Sequence, residues 1–159
     1  MKSFFVFISL LISGIYHAQG ECAFVKDTLT IPKENKIVNG EILQATLKNK
    51  NVIQLIKADD GKYYLKLVVS ENLYFDHIDL LEIRSGKKSF YAKDTKQYAL
   101  NKHTGYYVVE LYKNYVGTLK EDGITSIVFN KAETLFTKQD CGQVKQIAKC
   151  FYDAISIKK

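Results

Sequence analysis

One short segment gathers side chains that could bind a metal ion. Asp76, His77 and Asp79 lie within four consecutive positions, and carboxylate oxygens and imidazole nitrogens are common ligands of divalent cations. Zinc sites use defined spacings and more cysteine or histidine, and the EF-hand pattern is absent here. A solvated, aspartate-rich loop explains the same residues. The segment is the one metal candidate in the sequence, and we predict no cofactor.

Three cysteines raise the question of a disulfide: Cys22, Cys141 and Cys150. In a helix, Cys141 and Cys150 would lie about 13 Å apart on opposite sides, whereas a disulfide needs Cα atoms within about 7 Å. A bridge would therefore join Cys22 to Cys141 or to Cys150, and we favour Cys150 because it lies deeper in the helix. Three reduced, buried thiols are the alternative, and no CxxC pair indicates zinc.

Tyrosines form the most unusual surplus, since the chain has eleven Tyr, nine Phe and no Trp. Tyr64, Tyr106 and Tyr112 fall on the strand faces opposite the expected core positions. Exposed tyrosines bind sugars, peptides and proteins well, because one ring offers apolar area and a hydroxyl group. We therefore predict a binding surface at these three residues. The alternative is that this second face packs under another element.

Motifs for catalysis are missing. No G-x-S-x-G elbow marks a nucleophile, and the segment 85–89 (SGKKS) lacks the upstream glycine of a phosphate loop. We interpret that segment as a hairpin turn. Carboxylate pairs for glycoside hydrolysis meet only in three dimensions, so the sequence leaves them open without supporting them. The sequence thus favours a non-enzymatic role.

The N-terminus has the three parts of a secretory signal peptide in order. Lys2 supplies the positive charge, residues 4–15 (FFVFISLLISGI) the apolar region, and Ala18 and Gly20 the small residues before a cleavage site. Such a run is too short for a membrane-spanning helix. We predict a cleaved signal peptide at 1–20, with cleavage after Ala18 as the nearest alternative, and a secreted or periplasmic mature protein.

The mature chain begins at Glu21, whose acidic side chain argues against a lipoprotein signal at the next residue. No second apolar stretch has membrane-spanning length, so no membrane insertion is expected after signal removal. About 139 residues remain, which suits one domain. We therefore predict a single β-rich domain over 21–159.

Strand patterns fill most of this domain. Apolar and polar residues alternate over short runs, the longest at 106–112, where Tyr107, Val109 and Leu111 face one way. Turn signals separate the runs, including 59–62 (DDGK), 85–88 (SGKK) and 120–123 (KEDG). We predict a mainly β (α+β) fold, with about seven to nine strands in an antiparallel sandwich or barrel.

Near the C-terminus, the repeat of apolar residues changes from every second residue, typical of a strand, to a period of 3.6, typical of a helix. Apolar residues recur at spacings of three and four, which indicates an amphipathic helix at about 138–156, with Thr137 or Asp140 as its N-cap. These apolar positions are Cys141, Val144, Ala148, Phe151 and Ile155. We expect this helix to pack on the sheet.

Charge helps to choose among partners. The 23 Lys+Arg and 17 Asp+Glu give a formal net charge of +6, but Arg84 is the only arginine, and nucleic-acid recognition relies on arginine's bidentate fork. We therefore expect no nucleic-acid partner.

The leading hypothesis is an exported, non-enzymatic binding module with a protein partner or an inhibitor-like role. A carrier of small hydrophobic ligands with a lipocalin-like barrel is the alternative. That similarity concerns architecture only, because a chain without tryptophan lacks the GxW start of lipocalins. An enzyme with an unrecognised site comes third.

Overall fold

The computed structural model describes residues 22–48, 50–70, 77–101, 104–130 and 132–157. The predicted signal peptide lies outside these residues. The described chain is mainly β and antiparallel, which confirms the predicted fold class, and its sheets curl into a half-barrel. The described residues form ten strands and two helices: β1 Val25–Ile31, β2 Lys36–Thr46, β3 Val52–Ala58, β4 Tyr63–Ser70, β5 His77–Ser85, β6 Lys88–Lys96, β7 Tyr98–Ala99, β8 Thr104–Leu111, α1 Lys113–Asp122, β9 Ser126–Phe129, β10 Ala132–Leu135 and α2 Lys138–Ser156.

The strands form two antiparallel sheets. The larger sheet has the order β1-β2-β3-β4-β8-β7, and the smaller one has the order β10-β9-β5-β6. Helix α2 contacts β2 and β3 of the larger sheet, while β6 packs near β8 and so connects the two sheets. Strands β1 and β7 are the edges of the larger sheet, and β10 and β6 are the edges of the smaller one.

The main core lies between the two sheets and the helices. Alternate residues of the central strands, such as Leu65, Leu67 and Val69 of β4, point into it, as the period of two requires. Its central side chains are fully excluded from solvent. Phe151 of α2 packs edge-on against Tyr63, with ring centroids 5.8 Å apart. The largest buried members are Leu55, Leu65, Tyr107, Phe129 and Phe151. The space between the sheets is therefore filled by side chains.

A second, smaller core lies on the opposite face of the six-stranded sheet. Strand β1 curls over this face, so that Leu29 and Ile31 pack with Ile56, two strands away, and with Tyr64, three strands away. The Tyr106 hydroxyl on β8 donates a hydrogen bond to the Thr30 carbonyl on β1 at 3.3 Å. We call this side of the sheet the concave face. The sheet is thus buried on both sides.

Gly40 allows β2 to approach β3 closely where the sheet curls. A Cβ atom at this position would lie 2.8 Å from the Lys57 carbonyl oxygen and 2.9 Å from Ile56 Cγ2. Real Cβ atoms do not approach backbone that closely, so any larger residue must push the two strands apart. Glycine inside a strand often marks such close contact.

Helix α1 was not predicted, and the turn expected at 120–123 is its C-terminal end. Gly123 ends the helix with a φ of 69° and donates its N–H to the Leu119 carbonyl at 2.8 Å. The helix is short, and Gly117 weakens its intrinsic propensity. At Gly117, however, the Tyr152 ring of α2 lies 3.4 Å from where a Cβ would be. The sequence of α1 has a weak intrinsic tendency to form a helix, and packing against α2 therefore stabilises it.

Helix α2 occupies the range in which the apolar spacing placed it. Thr137 and Asp140 form a capping box, and Asp140 Oδ1 also accepts the Lys48 backbone N–H at 2.8 Å. One carboxylate therefore fixes the start of α2 to the turn between β2 and β3. Within the described residues, neither helix has the length and apolar content to span a membrane.

A disulfide joins Cys22 to Cys150, with Cα atoms 5.5 Å apart. Helix geometry leaves two partners for Cys22, and Cys150 is the one favoured for its depth in the helix. It ties the start of the described chain to the last turns of α2. Cys141 is reduced and half-buried, and its thiol contacts the Asp122 carbonyl oxygen at 3.0 Å.

Two glycines give a matched test of the close approach between β2 and β3. We expect Gly40→Ala to lower the free energy of unfolding by about 1–3 kcal/mol, because the added methyl group overpacks the strand pair. Gly142→Ala should raise it by about 0.5–1 kcal/mol, since that site lies in a helix with open space around it. Urea unfolding measures both changes. Equal effects of the two substitutions would contradict the close approach at Gly40.

Removal of the disulfide provides a second test. The double variant Cys22→Ser, Cys150→Ser should lose about 2–4 kcal/mol of unfolding free energy, because the bridge closes a long loop. The control Cys141→Ser keeps a donor for the Asp122 carbonyl and should lose about 1 kcal/mol or less. Urea unfolding of the wild type and both variants, with and without reductant, distinguishes the effect of the bridge from that of the Cys141 thiol. A wild-type midpoint that reductant leaves unchanged would argue against the bridge.

Candidate functional site

The predicted metal residues are not brought together by the described chain. Asp79 is exposed on β5, and its backbone N–H donates to Asn130 Oδ1 at 3.0 Å. Asp76 and the side chain of His77 lie outside the described residues. Among the described residues, no three His, Cys, Asp or Glu side chains lie close enough to share a metal ion.

The structure corrects two of the three tyrosines predicted to be exposed. Tyr64 and Tyr106 are only 1% and 4% exposed, whereas Tyr112 is 60% exposed. The strand patterns assigned the correct faces, but the second face of the sheet is covered by the curled β1 and β2 rather than by solvent. Tyr64 and Tyr106 therefore belong to the concave face, and Tyr112 alone remains available at the surface.

Tyr64 anchors a small polar network where the second core ends. Its hydroxyl donates to Asp60 Oδ2 at 3.1 Å, and the Lys36 ammonium donates to the same oxygen at 2.8 Å. Hydrogen bonding from Lys36 holds the pKa of Asp60 below its usual value. Burial, together with the neighbouring Asp60 carboxylate, raises the pKa of Tyr64. Tyr64 is therefore a neutral hydrogen-bond donor with a structural role.

A groove opens beside this network, between the free edge of β6 and the concave side of β8. Its volume is about 250 Å³, and we call it the β6 groove. The tip of the β1–β2 hairpin forms one wall, and β8 forms the floor. Its polar and aromatic lining includes Lys33, Tyr91, Lys93, Thr95, Glu110 and Tyr112.

The backbone of β6 faces this groove at every second residue. β6 is the last strand of its sheet, so only β5 pairs with it. Lys93 O accepts a hydrogen bond from Lys33 Nζ at 3.0 Å, which shows that the backbone groups of Lys93 point away from β5. In an antiparallel strand these directions alternate. The N–H and C=O groups of Tyr91 and Thr95 therefore also point towards the groove.

Two exposed tyrosines stand at the rim of the groove. Tyr91 is 57% exposed, and Tyr112 is slightly more exposed. Tyr112 packs edge-on against Tyr115, with centroids 5.7 Å apart, and Tyr115 stacks on Phe90 at 4.9 Å. This packing holds the Tyr112 ring in place without covering it. Sequence reasoning singled out Tyr112 but missed Tyr91, because only the sheet order shows that β6 is an edge strand.

A larger concavity of about 670 Å³ lies over β1, β2 and β3, but it offers no aromatic anchor. Its walls carry charges of both signs, and two of them, Lys57 and Glu41, form an ion pair at 3.6 Å. Exposed pairs of this kind contribute little to affinity or stability. We therefore regard the β6 groove as the better candidate site.

No protein-family model, curated protein or solved structure matches this chain. The arguments for its function therefore come from the geometry of the described residues.

The network at Tyr64 gives a pH-dependent prediction. Because the folded pKa of Asp60 is lowered, its contribution to stability is present above the unfolded value of about 3.9 and is lost as the pH falls below it. Asp60→Asn should lower the free energy of unfolding at pH 7 by about 1 kcal/mol or less, since the pair is partly exposed. The substitution should also reduce the decrease in unfolding free energy between pH 5 and pH 2.5, which urea unfolding measures. The neighbouring Asp59→Asn is the control, and an equal reduction there would contradict the assignment.

Proposed function

We propose that this chain is an exported, non-enzymatic binding protein that holds an extended segment of a protein partner in the β6 groove. The observation that most supports this proposal is that the edge of β6 faces a groove, pairs with no further strand, and has two exposed tyrosines beside it. An extended peptide adds to such an edge through backbone hydrogen bonds, while neighbouring side chains select its sequence. Tyr91 and Tyr112 would provide apolar contact area and hydroxyl groups to the bound segment.

The charges around the edge favour an acidic segment. Three lysines and one aspartate lie along β6, and Lys33 reaches the same edge. The four strand residues are Lys88, Lys93, Asp94 and Lys96. The groove also contains Glu110, but this carboxylate is paired with Lys62 at 2.9 Å. Glu34 is the remaining carboxylate of the lining. These lysines would also discourage unselective pairing of the edge with a second copy of the chain, as charged residues on edge strands do.

The carrier alternative has less support. A lipocalin-like carrier needs an internal cavity of roughly 300 Å³ or more between its sheets. Here Leu55, Leu65 and Phe129 fill that space and have no exposed surface. The enzyme alternative would gain support from clustered titratable groups in a cleft, and the β6 groove contains a lysine-rich edge instead.

Export is part of the same proposal. The N-terminal pattern of 1–20 supports it, and so does the Cys22–Cys150 bridge, since disulfides persist in oxidising compartments outside the cytosol.

Site-specific photo-crosslinking tests the proposal. A benzophenone amino acid replaces Tyr91 or Tyr112 in the full chain, expressed in its own source, and Leu135 serves as an exposed control on another edge. We expect a protein-sized adduct from positions 91 and 112 only. Adducts of a few hundred daltons would favour the carrier. Equal adducts from position 135, or none from the groove, would overturn the proposal.

Proline substitutions separate strand addition from other contacts. Lys93→Pro removes an N–H group that points into the groove, so the sheet should keep its hydrogen bonds while the crosslinking yield at position 112 falls at least tenfold. Ala92→Pro is the matched control for the fold, because it removes an N–H group that pairs with β5 and should destabilise the sheet. A Lys93→Pro variant that folds and crosslinks like wild type would exclude binding by strand addition.

A further inference from the structure

The tip of the β1–β2 hairpin is anchored where it forms a wall of the β6 groove. Its turn contains Pro32, whose fixed φ suits the second position of such a turn, and the Glu34 N–H donates to the Ile31 carbonyl at 3.2 Å. Ile31 is only 4% exposed, and the neighbouring Thr30 carbonyl accepts the Tyr106 hydroxyl. The backbone of the tip is therefore held in place, and its exposed side chains are the parts that can move.

Lys33 projects from this tip to the middle of the β6 edge. Its Nζ donates to the Lys93 carbonyl oxygen at 3.0 Å, and Lys93 lies between Tyr91 and Thr95, whose backbone groups face the same groove. A strand added to this edge would bring one of its own N–H groups to the Lys93 carbonyl. The Lys33 ammonium and an added strand therefore meet at one oxygen atom.

The carboxylates of the groove do not engage Lys33. They are Glu34 and Glu110, and Glu110 is paired with Lys62 at 2.9 Å. Among the described residues, neither carboxylate forms an ion pair with Lys33, whose ammonium binds a neutral carbonyl instead. Opposite charges attract each other more strongly than an ammonium attracts a neutral carbonyl. A carboxylate brought into the groove would therefore draw the Lys33 ammonium away from Lys93.

We infer that the contact between Lys33 and Lys93 is autoinhibitory and makes the β6 edge selective for segments that carry an aspartate or glutamate side chain. An acidic segment pairs with the Lys33 ammonium while its backbone N–H takes the Lys93 carbonyl. A neutral segment must displace the ammonium without offering it a new partner. This inference rests on the strand addition proposed above, and it names the residue that determines the preference for acidic segments.

Two peptides that differ at a single position test the inference. The first has the sequence STVTETVTS with both ends blocked, and the second has glutamine in place of the central glutamate. Their β-branched residues favour an extended backbone. Titration at millimolar concentration, followed by ¹H–¹⁵N NMR, monitors the backbone amides of Tyr91 and Thr95. We expect the wild type to bind the glutamate peptide about threefold to fivefold more tightly, as for a partly exposed ion pair.

Three variants isolate the role of Lys33. Lys33→Met removes the charge, so it should bind the two peptides equally, and it should bind the glutamine peptide at least as tightly as the wild type does. Lys33→Arg keeps a positive charge at the tip and should retain the preference. Lys26→Met is the matched control, because it removes the same charge from an exposed position on β1 of the same hairpin, and it should retain the preference as well.

The possible outcomes separate this inference from the proposed function. Equal binding of the two peptides by the wild type, or an undiminished preference in Lys33→Met, would overturn selection by Lys33 and leave strand addition intact. Loss of the preference in Lys26→Met would assign it to net charge and overturn the inference too. If neither peptide shifts the amides of Tyr91 and Thr95, strand addition itself is overturned. The same spectra report whether each variant keeps the wild-type fold.

Discussion

Burial of the six-stranded sheet on both of its faces organises the rest of the molecule. One face packs on α2 and the smaller sheet, and the other is covered by its own first strand. Burial of apolar surface is the main favourable term in folding, and here both faces of one sheet contribute to it. Gly40 lets β2 lie close to β3 beneath β1, since any Cβ there would collide with the β3 backbone.

The C-terminal helix completes the main core and is fixed at both ends. Asp140 binds its first turn to the β2–β3 turn, and the Cys22–Cys150 bridge ties its last turns to the beginning of the domain. Between these points, Phe151 inserts among aromatic rings of the larger sheet. The helix in turn gives α1 the surface against which Gly117 packs. The core, the caps and the disulfide therefore depend on one another.

The same packing decides which surfaces remain free for partners. Because β1 covers the concave face, Tyr64 and Tyr106 are buried. Because β6 is the last strand of the smaller sheet, its outward backbone groups face a groove and pair with no further strand, although the Lys93 carbonyl accepts a hydrogen bond from Lys33 Nζ. A filled interior, a free strand edge and rim tyrosines together suit recognition of a protein segment better than storage of a large apolar ligand. Each candidate site thus follows from how a sheet ends or curls.

The sequence by itself determined the class of the fold and the helix over Lys138–Ser156, because periods of two and 3.6 are local properties that composition and spacing reveal. Helix geometry alone also narrowed the cysteine pairing to two choices. Only the tertiary structure decided that α1 is a helix, because this glycine-containing segment is stabilised by packing against α2, where Tyr152 lies beside Gly117. It also decided that Tyr64 and Tyr106 are buried and that Tyr91 lies on an edge strand. Strand order and sheet curvature arise from contacts between residues distant in sequence, and alternation along one strand carries no information about them.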